Sequence, residues 1–373
     1  MMREINADEY RALSPDNLNF MQHVEMAQAR VAREPGAVVH YFQTDPTTVV
    51  ALVGRPIPHP SSRQYLYDAF WADPAVLPFV AELAMWCKAH SGLLLEVNPY
   101  LVLSTRNNDA TVRESITLPL APGAHHLGLS TSTVDPSKRW QYVVDLTDGY
   151  LSTFKGKVRT ALKDTARSGV MVSRAGGDDL GKFCEVQAAS ADRRGFLPRD
   201  EAYYKSIMDA FGPKAYGLLA EINTEATVTS LRGRIGSVPP GPDHDDIVAK
   251  IERQIGLLSS ESDTVTLHGG FFIETEHETV YLTGGGPSRL MAFNGVYAVV
   301  DEAMRISLSH GVKRFNMMGF FPDFSRNNGL LEFKKQYNGH IEELVGTYAA
   351  DLRPARYFLA RAIGKIHRTL GKA

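Results

Sequence analysis

Arg193, Arg194 and Arg199 stand in the run Asp192–Asp200, which joins two stretches of helical periodicity. Guanidinium forks at helix ends suit diphosphate oxygens, and a helix starting near Asp200 adds backbone N–H donors. A second run, Leu331–Gly339, puts Lys334 and Lys335 directly after Phe333, close to the polar loop Asp323–Asn328. In a third, from Phe154 to Arg167, Lys155, Lys157, Arg159, Lys163 and Arg167 are opposed only by Asp164. Singly, each run is also what an ordinary charged loop or solvated helix face looks like.

Other chemistry lacks its residues. There is no Gly-x-Ser-x-Gly elbow, no H-E-x-x-H pair and no Walker or Rossmann phosphate loop. Cys87 and Cys184 are the only cysteines and match no zinc spacing. His125 and His126 are adjacent, so on a strand their rings point to opposite faces. Gly284–Gly286 runs into Pro287 and reads as a turn. A covalent enzyme, a metalloenzyme and a nucleotide hydrolase are therefore not supported, and no metal or cofactor is expected.

A net charge of −2 excludes a general polyanion coat, so the basic runs imply phosphates met at particular places. The final stretch carries Arg353, Arg356, Arg361, Lys365, Arg368 and Lys372, with no acid after Asp351. Tyr357, Phe358, Ile363, Ile366 and Leu370 are interleaved with these cations, as in a basic helix that packs back on the protein or lies on a membrane face. No apolar run is long enough to span a bilayer, and the start Met1–Asn6 does not read as a secretion signal. The expected compartment is the cytoplasm.

The elements that would position these residues can be read coarsely. With 373 residues, of which 44% are hydrophobic and 22% charged, the chain is globular and long enough for two domains. Residues 1–148 read as a mixed α/β lobe: helix Asn17–Ala32, strands Ala37–Phe42 and Thr48–Val53, loop Pro56–Pro60, helix Leu77–Ser91 and strand Leu93–Val97. Residues 149–340 read as a second lobe opening on a helix, Leu151–Ser168, closed by Gly169. There follow strand Val170–Arg174, helices Leu180–Ala191 and Asp200–Phe211, and strand Tyr216–Ile222. Residues 223–262 form an insertion with prolines and a charged helix, Asp245–Leu258, read as a short helical arm. Phe271–Glu274 and Thr279–Thr283 suggest a hairpin, Asn294–His310 a helix and Val312–Phe315 a strand. Residues 341–373 form a C-terminal segment expected to pack on the first lobe.

Together these segments resemble the Fem family of tRNA-dependent peptidoglycan-bridge aminoacyltransferases. The resemblance spans most of residues 140–358: Ser152–Arg159, Asp192–Asp200 with Ala202–Tyr204, Val280–Gly284, Phe293–Gly295, His310–Asn316, Phe333–Lys335 and Val345–Tyr348. Asn19–Gln22 and Arg30 are similar to the family's opening helix. The resemblance implies two lobes of N-acetyltransferase (GNAT) type in tandem. It also implies transfer of glycine, alanine or serine from aminoacyl-tRNA, as co-substrate, to the stem-peptide amine of a lipid-linked or UDP-linked muramyl-pentapeptide. On this reading Lys334 is catalytic, Arg30, Arg193, Arg199, Tyr204 and Phe333 bind substrate, and Lys155, Lys157, Arg159 and Lys163 meet tRNA.

The sequence departs from the family's pattern at Asn98, where an aspartate is usual, and at Met26, Thr283 and Phe315–Met318. Asn98 removes a general base from that spot, and the changes bear on acceptor or amino-acid choice. A small-molecule acceptor, as in antibiotic biosynthesis, and an inactive precursor-binding homologue are the alternatives. An acyl-CoA donor is disfavoured by the lack of a pyrophosphate loop.

Overall fold

The computed structural model describes residues 2–57, 64–127, 139–176, 179–194, 197–324, 328–359 and 362. Residues 58–60 of the expected loop Pro56–Pro60, residues 325–327 of the polar loop and most of the C-terminal basic stretch lie outside them.

The chain begins with β1 (Arg3–Ile5), α1 (Ala7–Leu13), α2 (Val24–Arg33), β2 (Val38–Gln43), β3 (Val49–Pro56), β4 (Tyr65–Ala72), α3 (Val80–Ala89) and β5 (Gly92–Pro99). It continues through β6 (Val102–Arg106), β7 (Val112–Ser115), β8 (His125–His126), β9 (Trp140–Asp145), α4 (Gly156–Arg167), β10 (Met171–Ala175), α5 (Asp179–Arg194) and α6 (Glu201–Phe211). Then come β11 (Ala215–Asn223), α7 (Thr224–Ile235), α8 (His244–Leu258), β12 (Thr264–Glu274), β13 (Glu278–Gly285) and α9 (Gly295–Ser309). The last elements are β14 (Arg314–Gly319), α10 (Gly329–Lys334), β15 (His340–Leu344) and β16 (Tyr348–Asp351).

Two sheets organise these elements, in the orders β1-β2-β3-β4-β5-β16-β8 and β10-β11-β12-β13-β14-β9-β15-β6-β7. Each holds one parallel pair, β4 with β5 and β13 with β14, and the other described pairings are antiparallel. A parallel pair needs a crossover, supplied by α3 in one lobe and α9 in the other. The chain is thus two α/β lobes with the same β-α-β device at the centre of each. The parallel strands are buried on both faces, so Leu93, Leu94 and Leu95 run consecutively instead of alternating with polar residues.

The sheets do not divide at residue 148. β6, β7 and β9 belong to the second sheet, and β16 returns from the far end of the sequence to pair with β5 and β8. β9 lies between β14 and β15 as a nearly wholly buried strand. The chain enters the second sheet at β6, returns to the first at β8 and enters the second again at β9, so the sheets interleave along the sequence.

Two local differences have simple causes. The long opening helix is a 3₁₀ turn, Phe20–Gln22, followed by α2, because the Asn19 side chain caps Met21 N and restarts the backbone. The insertion is a helical hairpin, α7 and α8, joined through the proline run. Leu231, Ile251 and Leu258 sink into the second lobe's core, so the arm is anchored along its length.

The lobes share a core. Phe20, Met26 and Trp71 from the first pack with Phe183, Tyr204, Ile207 and Phe271 from the second. α2 lies against α6 across this seam, where Arg33 reaches Ser206 Oγ at 2.8 Å.

Candidate functional site

Arg30 is in the last turn of α2 and faces β4 of its own lobe. Its Nη2 donates to both oxygens of Asp68 at 2.8 Å, and Arg55 Nε stands 3.3 Å from the same carboxylate. Beside this pair is a pocket of about 190 Å³, lined by Met21, Arg30, Arg55, Asp68, Phe70, Glu96, Asn98 and Thr347. Asn98 Nδ2 donates to Thr347 Oγ1 at 3.1 Å, while its buried Oδ1 has no partner among the described residues. An amide there cannot take a proton. It can accept a hydrogen bond from whatever enters, and a buried acceptor gains from one.

The seam adds cations next to this pocket. Arg33 Cζ lies 4.4 Å and Arg199 Cζ 5.1 Å from the centre of the Tyr203 ring. Burial, with Arg199 and Arg30 close by, pulls Arg33 below its usual value. Arg33 escaped the sequence reading, although its place three residues after Arg30 on one helix was the available signal. The Arg193 side chain lies outside the described residues; its backbone ends α5.

Tyr204 is a correction. The ring is fully buried between Phe183 and Phe271, and its hydroxyl donates to Gln187, which donates in turn to Thr283 Oγ1 at 2.7 Å. It is part of the shared core and has no exposed surface. Its neighbour Tyr203 is the half-exposed ring, because consecutive residues on a helix face different ways.

On the second lobe, Lys334 ends α10 with 4% of its surface exposed. Its Nζ donates to Met318 O at 2.8 Å and Gly319 O at 2.7 Å, and lies 5.8 Å from the Phe320 ring centre. Those carbonyls belong to a bulge in β14 where Met318 takes a φ of 62° and the register with β9 slips. Asn316 Oδ1 holds the bulge from the other side by accepting from Met318 N at 2.8 Å. The lysine's charge therefore points at the place where β14 leaves the sheet. Phe333 packs edge-on against Tyr297 and Tyr337.

α4 brings its cations to the same place. Val158, Ala161 and Thr165 are buried, which turns Lys157, Arg159, Lys163 and Arg167 outward, and Lys155 just before the helix is exposed as well. Lys155 N donates to Gln336 O at 3.0 Å, and Phe154 meets the Tyr337 ring at 5.1 Å. The start of the basic helix is thus stapled to the segment carrying Lys334.

Between the lobes lies a buried ionic layer. Glu278, 1% exposed, accepts from Asn19 Nδ2 of the first lobe at 3.1 Å and from Arg314 Nε at 3.1 Å. Tyr100 Oη lies 3.0 Å from the same carboxylate and Arg314 Nη2 2.6 Å from Glu342. Burial alone would raise Glu342, but His340 and Arg314 hold it at about 2. Burial alone would lower His340, but Asp145 and Glu342 carry it up to about 9.

A pH dependence follows from these two groups. His340 is raised on folding, so its contribution is fully present below about 6.5 and is lost as pH rises through about 9. Glu342 is lowered, so its contribution is present above about 4.5 and is lost as pH falls towards 2. Urea midpoints should hold level from about pH 5 to 6 and decline between about pH 6.5 and 9. His340→Gln should flatten the alkaline decline, and a midpoint unchanged to pH 10 in the parent protein would contradict the assignment.

Comparison with known proteins agrees with this geometry. The FemAB family model matches residues 5–237 and 244–365. Aminoacyltransferase FemA of Staphylococcus aureus strain RF122 / ET3-1 is 24% identical over 328 residues, covering 77% of this chain and 78% of that protein. FemA of strain MRSA252 matches equally. The crystal structure of FemX superposes with a TM-score of 0.68 at 16% identity, over 96% of this chain and 99% of that one. With both lobes matched in order, the chain belongs to the FemAB family and is an aminoacyltransferase.

Proposed function

We propose that this protein moves glycine, alanine or serine from aminoacyl-tRNA to the stem-peptide amine of a peptidoglycan precursor, lipid-linked or UDP-linked, in bridge synthesis. One observation carries the reading. A pocket flanked by arginines on the first lobe, and an exposed basic helix stapled beside Lys334 on the second, offer separate places for a diphosphate-bearing acceptor and an RNA donor. An aminoacyl ester is already activated, so no acyl-enzyme and no nucleophilic side chain are needed. The acceptor amine attacks the ester carbonyl, the ester C–O bond breaks, and the amine's proton ends on the departing ribose oxygen.

On this reading the enzyme's work is positioning and charge placement. Arg30, Arg193 and Arg199 hold the acceptor's phosphates, and Lys155, Lys157, Arg159 and Lys163 meet tRNA phosphates. Phe333 supports the donor end, and Lys334 places a positive charge near the departing oxygen. Phe358 and Leu359, both largely exposed after Arg353 and Arg356, support peripheral contact of the C-terminal segment with the inner membrane face. No described helix is long and apolar enough to cross a membrane.

The acceptor side is tested by titrating UDP-linked muramyl-pentapeptide into the protein. Arg30→Gln should weaken binding about 10-fold or more, as loss of a charge-assisted contact does, and leave binding of the free pentapeptide unchanged. Equal affinity in parent and variant would remove Arg30 from the acceptor site.

A further inference from the structure

We propose that residues 320–324, directly after β14, form a stacking platform for the unpaired 3′ nucleotides of the RNA donor. The inference rests on the donor reading above and assigns residues that the reading does not use: Phe321, Phe324, Trp140, Arg106 and Arg139.

The first observation is exposed aromatic surface beside cations. Phe321 is 56% and Phe324 37% exposed. Phe324 is no stray side chain, since it stands edge-on to Trp140 at 5.4 Å and to Phe320 at 6.3 Å. Trp140 in turn has the guanidinium carbons of Arg106 and Arg139 at 5.3 and 5.5 Å from its ring. Both arginines lean on one carboxylate, Glu343, with Arg106 Nη2 at 3.0 Å from it.

The second observation is donor capacity. Trp140 is 6% exposed, yet its indole N–H has no acceptor among the described residues, and the buried Arg106 Nε also lacks one there. A buried donor without a partner is costly and marks a place where a ligand's oxygen or ring nitrogen is accommodated. Flat apolar faces, guanidinium groups beside them and open N–H donors together fit nucleobases on a phosphate backbone. An apolar peptide or lipid chain would leave the cations unused, and an inorganic polyphosphate would leave the phenylalanines unused.

Position strengthens the match. The platform starts at Phe320, 5.8 Å from the Lys334 ammonium. A 3′ end stacked there delivers its terminal ester towards Lys334. The start of α4 is hydrogen-bonded to the same stretch through Gln336, so duplex phosphates along α4 and unpaired bases on the platform can belong to one RNA.

The test uses the full chain and two uncharged fluorescein-labelled RNA hairpins of the same stem, one blunt and one with four unpaired 3′ nucleotides, read by anisotropy. The parent protein should bind the overhang form roughly 5- to 100-fold tighter, the range of one stacked base. Phe321→Ala/Phe324→Ala should abolish that preference and leave blunt-hairpin affinity unchanged, with only a small drop in the thermal midpoint from the lost packing of Phe324 on Trp140. Equal binding of the two hairpins by the parent, or a preference surviving in the double variant, overturns the platform alone. Failure to bind either hairpin overturns the platform and removes the donor reading with it.

Discussion

Replacing Lys334 with alanine is expected to lower the turnover of aminoacyl transfer by roughly 10²- to 10³-fold, the effect of losing a placed charge at a developing oxyanion. The protein should also lose stability. Its ammonium donates to two bulge carbonyls, and charge-assisted bonds of this kind contribute about 1.5–3 kcal/mol each. The two effects separate experimentally, because turnover can be measured well below the variant's own unfolding midpoint, where it is folded. There, Lys334→Ala should be folded and nearly inactive. Lys334→Arg should regain most of the stability, since a guanidinium also reaches carbonyls, but less of the turnover. Parent-like turnover in folded Lys334→Ala would end the assignment of Lys334 to the transfer step.

Arg314→Met should produce a large loss of stability, about 3–5 kcal/mol in chemical denaturation. Arg314 is the cation between Glu278 and Glu342, which are 1% and 3% exposed. Burial opposes its charge, yet Glu342 and Glu278 hold it firmly protonated. Without it two carboxylates are left facing one another with only His340 to compensate. The triple change Arg314→Met/Glu278→Gln/Glu342→Gln should recover much of the loss, because the uncompensated charge is gone. A single variant as stable as the parent would show that the layer is not held by Arg314.

Much of the fold was legible from the chain. Burial on both faces left Leu93–Val97 as an unbroken apolar run, and helix periodicity located α4, α6 and α9 to within a few residues. Strand exchange between the sheets was not legible, because β6, β9 and β16 carry no local mark of which sheet they join. The site was read in part. Clustered cations singled out Lys334 and the basic helix, while Arg30 came from the family resemblance; the structure places Arg30 beside the pocket and the start of the basic helix beside the Lys334 segment. Tyr204 was misread because aromatic residues in a basic neighbourhood look alike until the helix phase is known. Glu278, Arg314 and Tyr100 were missed because their pairing spans both lobes, with Tyr100 and Arg314 brought together over 214 positions of sequence.

The central claim is tested most directly by mixing the purified protein with tRNA carrying radiolabelled glycine, alanine or serine and with a lipid-linked or UDP-linked disaccharide- or muramyl-pentapeptide. The account predicts label on the stem-peptide amine from at least one charged tRNA, abolished by ribonuclease. Measurable precursor binding with no transfer from any charged tRNA would contradict it.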